Sequence, residues 1–210
     1  PRVVIGVADT NALVNGTGIS RMRAAGIEVV VGVLEEECCR LNRAFFTSHE
    51  KNRPFVTLKW AQSADGYIDV ERSCGTPVAI STPLSRVAVH KLRAEHDAIL
   101  VGTRTALLDN PSLDVRCWAG RAPLRLVLDR AGVLPASLRL FDGTLPTVVY
   151  TATERDDLCG KNIEQIVLDF NRDVIHQILE HLHSIKVNAL LGERIHQNSG
   201  DAKHLVMGVN

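Results

Sequence analysis

Residues 98–105, with the sequence AILVGTRT, decide the predicted fold of this chain of 210 residues. Residues 98–101 form a continuous apolar run, which is typical of a strand that is buried on both faces. Gly102 and Thr103 then begin a helix, and the alternation of strands with helices recurs before and after this stretch. Strands separated by helices predict parallel pairing, because a parallel crossover needs a long connection. The sequence therefore predicts an α/β protein with a mostly parallel sheet flanked by helices.

Further strands and helices are predicted on both sides of this stretch. Strands are expected near residues 3–7, 27–31, 56–60, 124–128, 147–150 and 187–191. Helices are expected near residues 19–25, 34–46, 83–93, 103–108 and 174–182. Thr82 can cap the helix that follows it, and Pro83 suits the first helical turn. A polar stretch at 48–53 predicts a linker, so we expect residues 1–47 and 54–210 to form separate units.

The composition argues against several classes of partner. Lysine plus arginine and aspartate plus glutamate number 24 each, so no net charge draws the chain to nucleic acid or to a membrane surface. Hydrophobic residues make up 45% of the chain, yet no apolar stretch reaches the length of a transmembrane helix. The five cysteines are scattered without a C-x-x-C pair, which favours reduced thiols and a cytoplasmic location. Any anionic ligand must then be held by local arginines.

Polar side chains follow the predicted strands at the places where parallel sheets bind ligands. Lys59 lies at the end of one strand. Residues 102–105 offer backbone N–H groups and hydroxyls that suit an anionic cofactor group, although an ordinary capped helix has the same pattern. Asp109 and Arg116 flank a sharp turn and can face one cleft, with a weak surface ion pair as the alternative.

Six segments occur in the order and with the spacing of a known family. They are Lys59-x-x-x-Ser63-x-Asp65-Gly66, Ile80-Ser81-Thr82-Pro83, His90-Lys91-Leu92-Arg93-Ala94, Val101-Gly102-Thr103-x-Thr105, Leu108-Asp109-Asn110-Pro111 with Val115-Arg116, and residues 123–129. Together they resemble the reductase domain of the bifunctional riboflavin-biosynthesis deaminase/reductases, the RibD family. The resemblance covers about residues 55–191 and implies a fold similar to dihydrofolate reductase. Residues 3–46 resemble the C-terminal remnant of that family's deaminase domain, an α/β unit of the cytidine-deaminase type.

The resemblance implies an activity and a set of site residues. Members of the family use NADPH to reduce the ribosyl group of 5-amino-6-(5-phosphoribosylamino)uracil to a ribityl chain. The expected catalytic residues are Lys59 and Asp109. The cofactor-binding residues that the resemblance implies are Ala61, Thr105 and Asp109. Ala79, Gly102 and Arg130 are expected to bind the cofactor because of their positions near that site, and Arg130 also fits a plain turn after a strand. The expected substrate-binding residues are Arg93, Leu113 and Arg116, and paired arginines suit a phosphate monoester.

Further expectations concern assembly and the longer protein. The family implies a homodimer with a small-molecule substrate, and a full-length protein that is also a pyrimidine deaminase. The zinc-binding His-x-Glu and Pro-Cys…Cys motifs of that deaminase are absent here, so we expect no metal in this chain and zinc only in the missing deaminase part.

The sequence also departs from the family within the reductase part. Residues 190–195, LLGERI, replace a Val-Glu-Gly-Gly run, and Glu193 is given no role. We therefore expect the C-terminal part of the reductase domain to be incomplete. The alternatives are a dihydrofolate-reductase-like enzyme for another pterin or pyrimidine, and a non-catalytic truncated fragment.

Overall fold

The structure is a computed structural model that describes residues 1–11, 14, 16–70, 79–187, 189–192 and 207–208. The strands within these ranges are β1 (Arg2–Ile5), β2 (Glu28–Val31), β3 (Val56–Lys59), β4 (Ala98–Gly102), β5 (Leu124–Leu128), β6 (Thr147–Thr151), β7 (Ile163–Val167), β8 (Ala189–Gly192) and β9 (Met207–Gly208). The helices are α1 (Thr17–Ala24), α2 (Glu35–Leu41), α3 (Arg43–Lys51), α4 (Pro83–Ala94), α5 (Thr103–Asp109) and α6 (Val174–Ser184). Short 3-10 turns lie at Arg139–Phe141 and Asp156–Leu158.

The strands form two sheets. β1 and β2 pair in parallel as a small two-stranded sheet. The other strands form one sheet in the order β7-β6-β5-β4-β8-β3-β9, in which every pair is parallel except β3 with β9. The predicted fold class, an α/β protein with a mostly parallel sheet flanked by helices, is confirmed.

The helix predicted over residues 34–46 is two helices, α2 and α3, which meet at Asn42. The side-chain amide of Asn42 donates to the carbonyl oxygen of Cys38 at 2.9 Å, and the backbone N–H of Asn42 donates to the same oxygen at 3.1 Å. A side chain that shares a helical carbonyl competes with the backbone ladder, which favours a break at this residue.

Other segments also differ from the sequence-based expectation. The polar stretch at 48–53 is predicted as a linker, but α3 continues through most of it to Lys51. Strand β7 was not predicted. It is an edge strand of the sheet, and its residues are at most partly buried. Glu164 and Gln165 interrupt its apolar pattern, so the sequence gives only a weak strand signal there. The division of the chain into units at 48–53 stays a prediction.

Side chains of the central strand alternate between two cores, one on each face of the sheet. Ile99 and Val101 of β4 belong to the core that residues of α4, α5 and the turn at Arg139–Phe141 complete. Ala98 and Leu100 belong to the core on the opposite face, which α6 covers. Because β4 packs on both faces, it needs apolar residues at every position, which explains its continuous apolar run.

Arg125 of β5 is an arginine buried within this sheet. It is 0% exposed, and its guanidinium donates to Thr147 Oγ1 and to the carbonyls of Arg139 and Leu145 at 2.9, 2.9 and 2.7 Å. It also donates to the carboxylate of Asp142 at 3.1 Å. Buried charge is tolerated only when it is paired and hydrogen-bonded in this way. The network therefore fixes the connection between β5 and β6 to the sheet.

We predict that Arg125→Ala is strongly destabilising, because it leaves several acceptors unsatisfied and a carboxylate without its buried partner. The free energy of unfolding should fall by about 3–5 kcal/mol. Urea denaturation measures the change. The control is Arg2→Ala, which removes an exposed pair with Glu28 and should cost less than about 1 kcal/mol. Equal losses for the two variants would show that the Arg125 network does not stabilise the sheet.

Candidate active site

A cavity of ≈ 600 Å³ lies beyond the carboxyl ends of β3 and β4, on the face of the sheet that α4 and α5 cover. Its volume is within the range of small-molecule and cofactor sites. Ile99 and Val101 of β4 supply part of the apolar lining, together with Ile68, Ile80 and Pro111. The polar lining comes from the residues that follow β3, from α4 and α5, and from the segment after α5.

The cavity brings together most of the site residues predicted from the sequence. Its lining includes Lys59, Ala61, Ala79, Arg93, Thr105, Asp109, Leu113 and Arg116. These residues come from separate segments of the chain, so it is the fold that unites them. Their individual roles stay predictions.

Two predicted cofactor residues, Gly102 and Arg130, lie outside the lining of the cavity. Gly102 ends β4 and directly precedes α5. Arg130 is exposed, and its guanidinium lies 5.2 Å from the centroid of the Phe170 ring. The contact with Phe170 is compatible with a plain turn after a strand. The role of Arg130 in cofactor binding stays a prediction.

The first structural element of the site is one face of α4. The helix begins as predicted, with the backbone N–H of Ser85 donating to Thr82 Oγ1 at 3.1 Å. Arg86, His90 and Arg93 follow at intervals of three and four residues, which places them on one face of the helix. All of these three side chains line the cavity.

The second element is the segment of residues 110–116, which we call the 110–116 loop. Its backbone takes a positive φ at Asn110 (41°) and again at Leu113 (50°), a conformation that costs energy for a side chain such as leucine. Leu113 is only 3% exposed and packs in the sheet core, which offsets this cost. Asn110 Oδ1 accepts from the backbone N–H of Arg139 at 2.8 Å, which ties the start of the loop to the turn after β5.

Two hydrogen bonds attach the other end of the 110–116 loop to α4. Arg93 Nη1 donates to the carbonyl of Asp114 at 3.0 Å, and the backbone N–H of Arg116 donates to His90 Nδ1 at 3.0 Å. Arg116 Nη1 also pairs with both carboxylate oxygens of Asp114 at 2.7 and 2.9 Å. Arg116 therefore forms its ion pair with Asp114, and it lines the same cavity as Asp109.

The lining of the cavity is strongly cationic. It contains the basic side chains Lys59, Arg86, Arg93, Arg116 and Arg139, together with the carboxylate of Asp109. Burial, and then the charge of Arg93, lower the pKa of Lys59. Burial also lowers the pKa of Arg93, although Asp114 opposes this effect. Since neighbouring cations and loss of water both disfavour these charges, an anionic ligand is the group that would stabilise them.

Arg93 has a further property that points to a ligand. Its Nε atom is buried and has no hydrogen-bond partner among the residues that the structure describes. A buried donor without an acceptor costs free energy unless another group satisfies it. The donor set of the cavity thus fits ligands that carry phosphate groups.

Three basic side chains of the lining were not predicted as site residues: Arg86, His90 and Arg139. The spacing of Arg86 and His90 relative to Arg93 on one helix was the available signal for the first two. Arg139 lies in a 3-10 turn far along the chain, and no local pattern in the sequence connects it to the cavity.

Other predicted features can be placed only in part. Glu193, Arg194 and Ile195, in the stretch that replaces the Val-Glu-Gly-Gly run, lie outside the described residues. Within the described part of the chain, no group of three or more His, Cys, Asp or Glu side chains is arranged to hold a metal ion. The helices of this part include none that is long and apolar enough to cross a membrane.

Known proteins share both the sequence and the fold of this chain. It is 37% identical over 198 residues to the riboflavin biosynthesis protein RibD of Aquifex aeolicus (strain VF5), a match that covers 91% of this chain and 54% of that protein. It is also 37% identical over 194 residues to the RibD protein of a Synechocystis species, with 92% of this chain and 47% of that protein covered.

Solved structures agree with these relatives. A diaminohydroxyphosphoribosylaminopyrimidine deaminase/5-amino-6-(5-phosphoribosylamino)uracil reductase from Thermotoga maritima superposes with a TM-score of 0.81 at 38% identity, covering 91% of this chain and 53% of that one. RibD of Acinetobacter baumannii gives a TM-score of 0.75 at 27% identity, covering 91% and 54%. The chain spans about half the length of the relatives that it matches. Residues 54–194 match the family model of the RibD C-terminal domain, and the chain therefore belongs to that family.

Proposed function

We propose that this chain is an NADPH-dependent reductase that converts the ribosyl group of 5-amino-6-(5-phosphoribosylamino)uracil into a ribityl chain in riboflavin biosynthesis. The observation that carries this proposal is the shared cavity, in which Lys59 and Asp109 lie with Arg93 and Arg116 beyond the carboxyl ends of two parallel strands. The names of the relatives support the same reaction class, since the Thermotoga maritima protein is named as a 5-amino-6-(5-phosphoribosylamino)uracil reductase as well as a deaminase of diaminohydroxyphosphoribosylaminopyrimidine.

The phosphate of the substrate would bind where α4 meets the 110–116 loop. Arg93 and Arg116 approach each other there, and Arg86 lies on the same face of α4. Guanidinium groups form charge-assisted hydrogen bonds to phosphate oxygens, which are stronger than those between neutral groups. The buried Nε of Arg93 is one donor that such an oxygen would satisfy.

The remaining lining fits the cofactor. Ala61 and Ala79 have small side chains that leave room for a ring, and Thr105 and Asp109 of α5 add polar atoms. Arg139 offers a positive charge near the start of the 110–116 loop, where a phosphate group of NADPH can be held. When bound, NADPH supplies the hydride, and the protein has to orient the two reactants and exclude water.

A proton must also move, because the ribose ring opens before its first carbon can accept hydride. Lys59 and Asp109 are two groups of the cavity that can serve as acid or base. Burial and Arg93 make the ammonium of Lys59 more acidic than that of an ordinary lysine. We therefore assign Lys59 the donation of the proton to the ring oxygen, and Asp109 the orientation of the polar groups around it.

The wider assignments rest on the family. We propose residues 54–210 as the reductase domain and residues 1–47 as the end of a deaminase-like unit, a division supported by the family match that begins at residue 54. The deaminase activity in the names of the relatives is proposed only for a longer protein that carries the zinc-binding motifs absent from these 210 residues. A homodimer and a cytoplasmic location also stay predictions.

We predict that the chain oxidises NADPH when 5-amino-6-(5-phosphoribosylamino)uracil is the substrate. Arg116→Leu should raise the KM for this substrate by about tenfold or more, because a charge-assisted hydrogen bond is lost. The same variant should change the KM for the dephosphorylated substrate little. Arg121→Leu, at an exposed arginine outside the cavity lining, is the control. NADPH oxidation with an unphosphorylated pterin or pyrimidine alone would favour a dihydrofolate-reductase-like enzyme. Binding of neither NADPH nor substrate would contradict the proposal.

We predict that Arg93→Met raises the pKa of Lys59, because a neighbouring positive charge is removed. The pKa should stay below the usual 10.5, since burial is the larger cause of its lowering. NMR titration of the protein with isotopically methylated lysines measures this value, with Arg121→Met as the control. An unchanged or lower pKa of Lys59 in Arg93→Met would show that the two side chains do not interact.

A further inference from the structure

His90 is a buried residue of the cavity to which neither the family resemblance nor the proposed reaction gives a role. It lies on α4 between Arg86 and Arg93 and is 2% exposed, yet it lines the cavity. Polar side chains are seldom buried to this extent without a hydrogen bond. The partner of His90 is informative, because it belongs to the loop that carries a predicted substrate residue.

The hydrogen bond fixes the form of the ring. The backbone N–H of Arg116 lies 3.0 Å from Nδ1 of His90, and a backbone N–H can only donate. Nδ1 must therefore be the acceptor, and the proton of the neutral ring is on Nε2. A second proton on Nδ1 would set two donors against each other and break this bond.

We propose that His90 is a positioning residue for the phosphate subsite. In its neutral form, His90 holds the backbone of Arg116 and so places the Arg116 guanidinium for a phosphate ester. Protonation of His90 releases the Arg116 backbone. This role of His90 rests on the proposed function, in which Arg93 and Arg116 form the phosphate subsite. It adds that this subsite depends on the charge state of one histidine.

The surroundings of His90 keep it neutral near pH 7. Burial lowers its pKa most, the charges of Arg93, Arg116 and Arg86 lower it further, and Asp114 alone opposes them. The pKa of His90 in the folded protein therefore lies below the usual value of 6.5. The hydrogen bond is intact at neutral pH and is lost in acid. The unfolded chain takes up this proton first, so the stability contributed by His90 also falls as pH drops below 6.5.

The second attachment of the loop makes the effect local. Arg93 Nη1 still donates to the carbonyl of Asp114 at 3.0 Å when His90 is protonated, because a guanidinium keeps its proton. Leu113 likewise stays anchored in the sheet core. Loss of the His90 bond should therefore displace Arg116 without unfolding the loop, which predicts weaker ligand binding in a folded protein.

Two substitutions separate the hydrogen bond from the charge. In His90→Asn, the side-chain oxygen stands at about the position of Nδ1, accepts from the Arg116 N–H, and does not titrate. In His90→Leu, no acceptor remains. Binding of ribose 5-phosphate is the readout, measured by calorimetry at about pH 7.5 and at the lowest pH at which the wild type stays folded. The second ionisation of the ligand, at about pH 6, is common to all variants. Far-UV circular dichroism checks that each variant is folded.

The proposal predicts that His90→Asn binds like the wild type at the higher pH. At the lower pH it should bind more tightly than the wild type, by about tenfold for one hydrogen bond that places a charged group. His90→Leu should bind weakly at both values, and in turnover assays should raise KM while kcat changes little. In NMR spectra, the amide signal of Arg116 should shift with pH in the wild type and stay in place in His90→Asn.

Identical pH dependence in the wild type and His90→Asn would overturn the proposal, even if His90→Leu fails to fold. Wild-type affinity in a folded His90→Leu would overturn it as well. The calorimetric and NMR measurements need no NADPH and no turnover, so their result is separate from that of the reductase assay. An inactive enzyme that binds ribose 5-phosphate with the predicted pattern would contradict only the proposed reaction, whereas an active enzyme without the pattern would contradict only the role of His90.

Discussion

Parallel pairing of the strands is the constraint on which the site depends. Because β3, β8, β4 and β5 all run in one direction, their carboxyl ends lie at the same edge of the sheet. The chain passes from β4 outward to β5, β6 and β7, and then returns to place β8 between β4 and β3. Connections that leave neighbouring strands in opposite directions open a crevice at such a point, which is where α/β sheets bind ligands. The cavity lies at this edge.

Two kinds of contact then give the cavity its shape and charge. The buried network of Arg125 fixes the connection that carries Arg139, and α4 fixes the 110–116 loop through His90 and Arg93. The positive φ of Leu113 is held because its side chain packs in the core. The segments that carry Arg116 and Arg139 are thus held by contacts within the protein, so a phosphorylated ligand meets these two segments already in place.

The parts of the fold that were predicted correctly are those with a strong local signal. The apolar run of β4 and the Thr82 cap of α4 depend on nearby residues, and both were predicted. The break at Asn42 and the edge strand β7 were missed, because a side-chain hydrogen bond decides the first and pairing with a neighbouring strand decides the second. The spacing of apolar residues does not reveal the first, and the second depends on a strand from another part of the chain.

The candidate site shows the same division. Lys59, Arg93, Asp109 and Arg116 came from motif resemblance and share one cavity. Gly102 and Arg130 came from their places at strand ends and lie outside its lining. His90 lies within one of the matched segments, but the sequence assigns it no role. Its significance depends on a contact with Arg116 across the fold, which only the coordinates reveal.

The most direct test of the central claim is a crystal structure of this chain with NADP⁺ and the phosphorylated ribityl product. We expect the product phosphate to contact Arg93 and Arg116. We expect the nicotinamide to lie beside the first carbon of the ribityl chain, between Lys59 and Asp109. A product phosphate bound away from these arginines, or a nicotinamide outside the cavity, would contradict it.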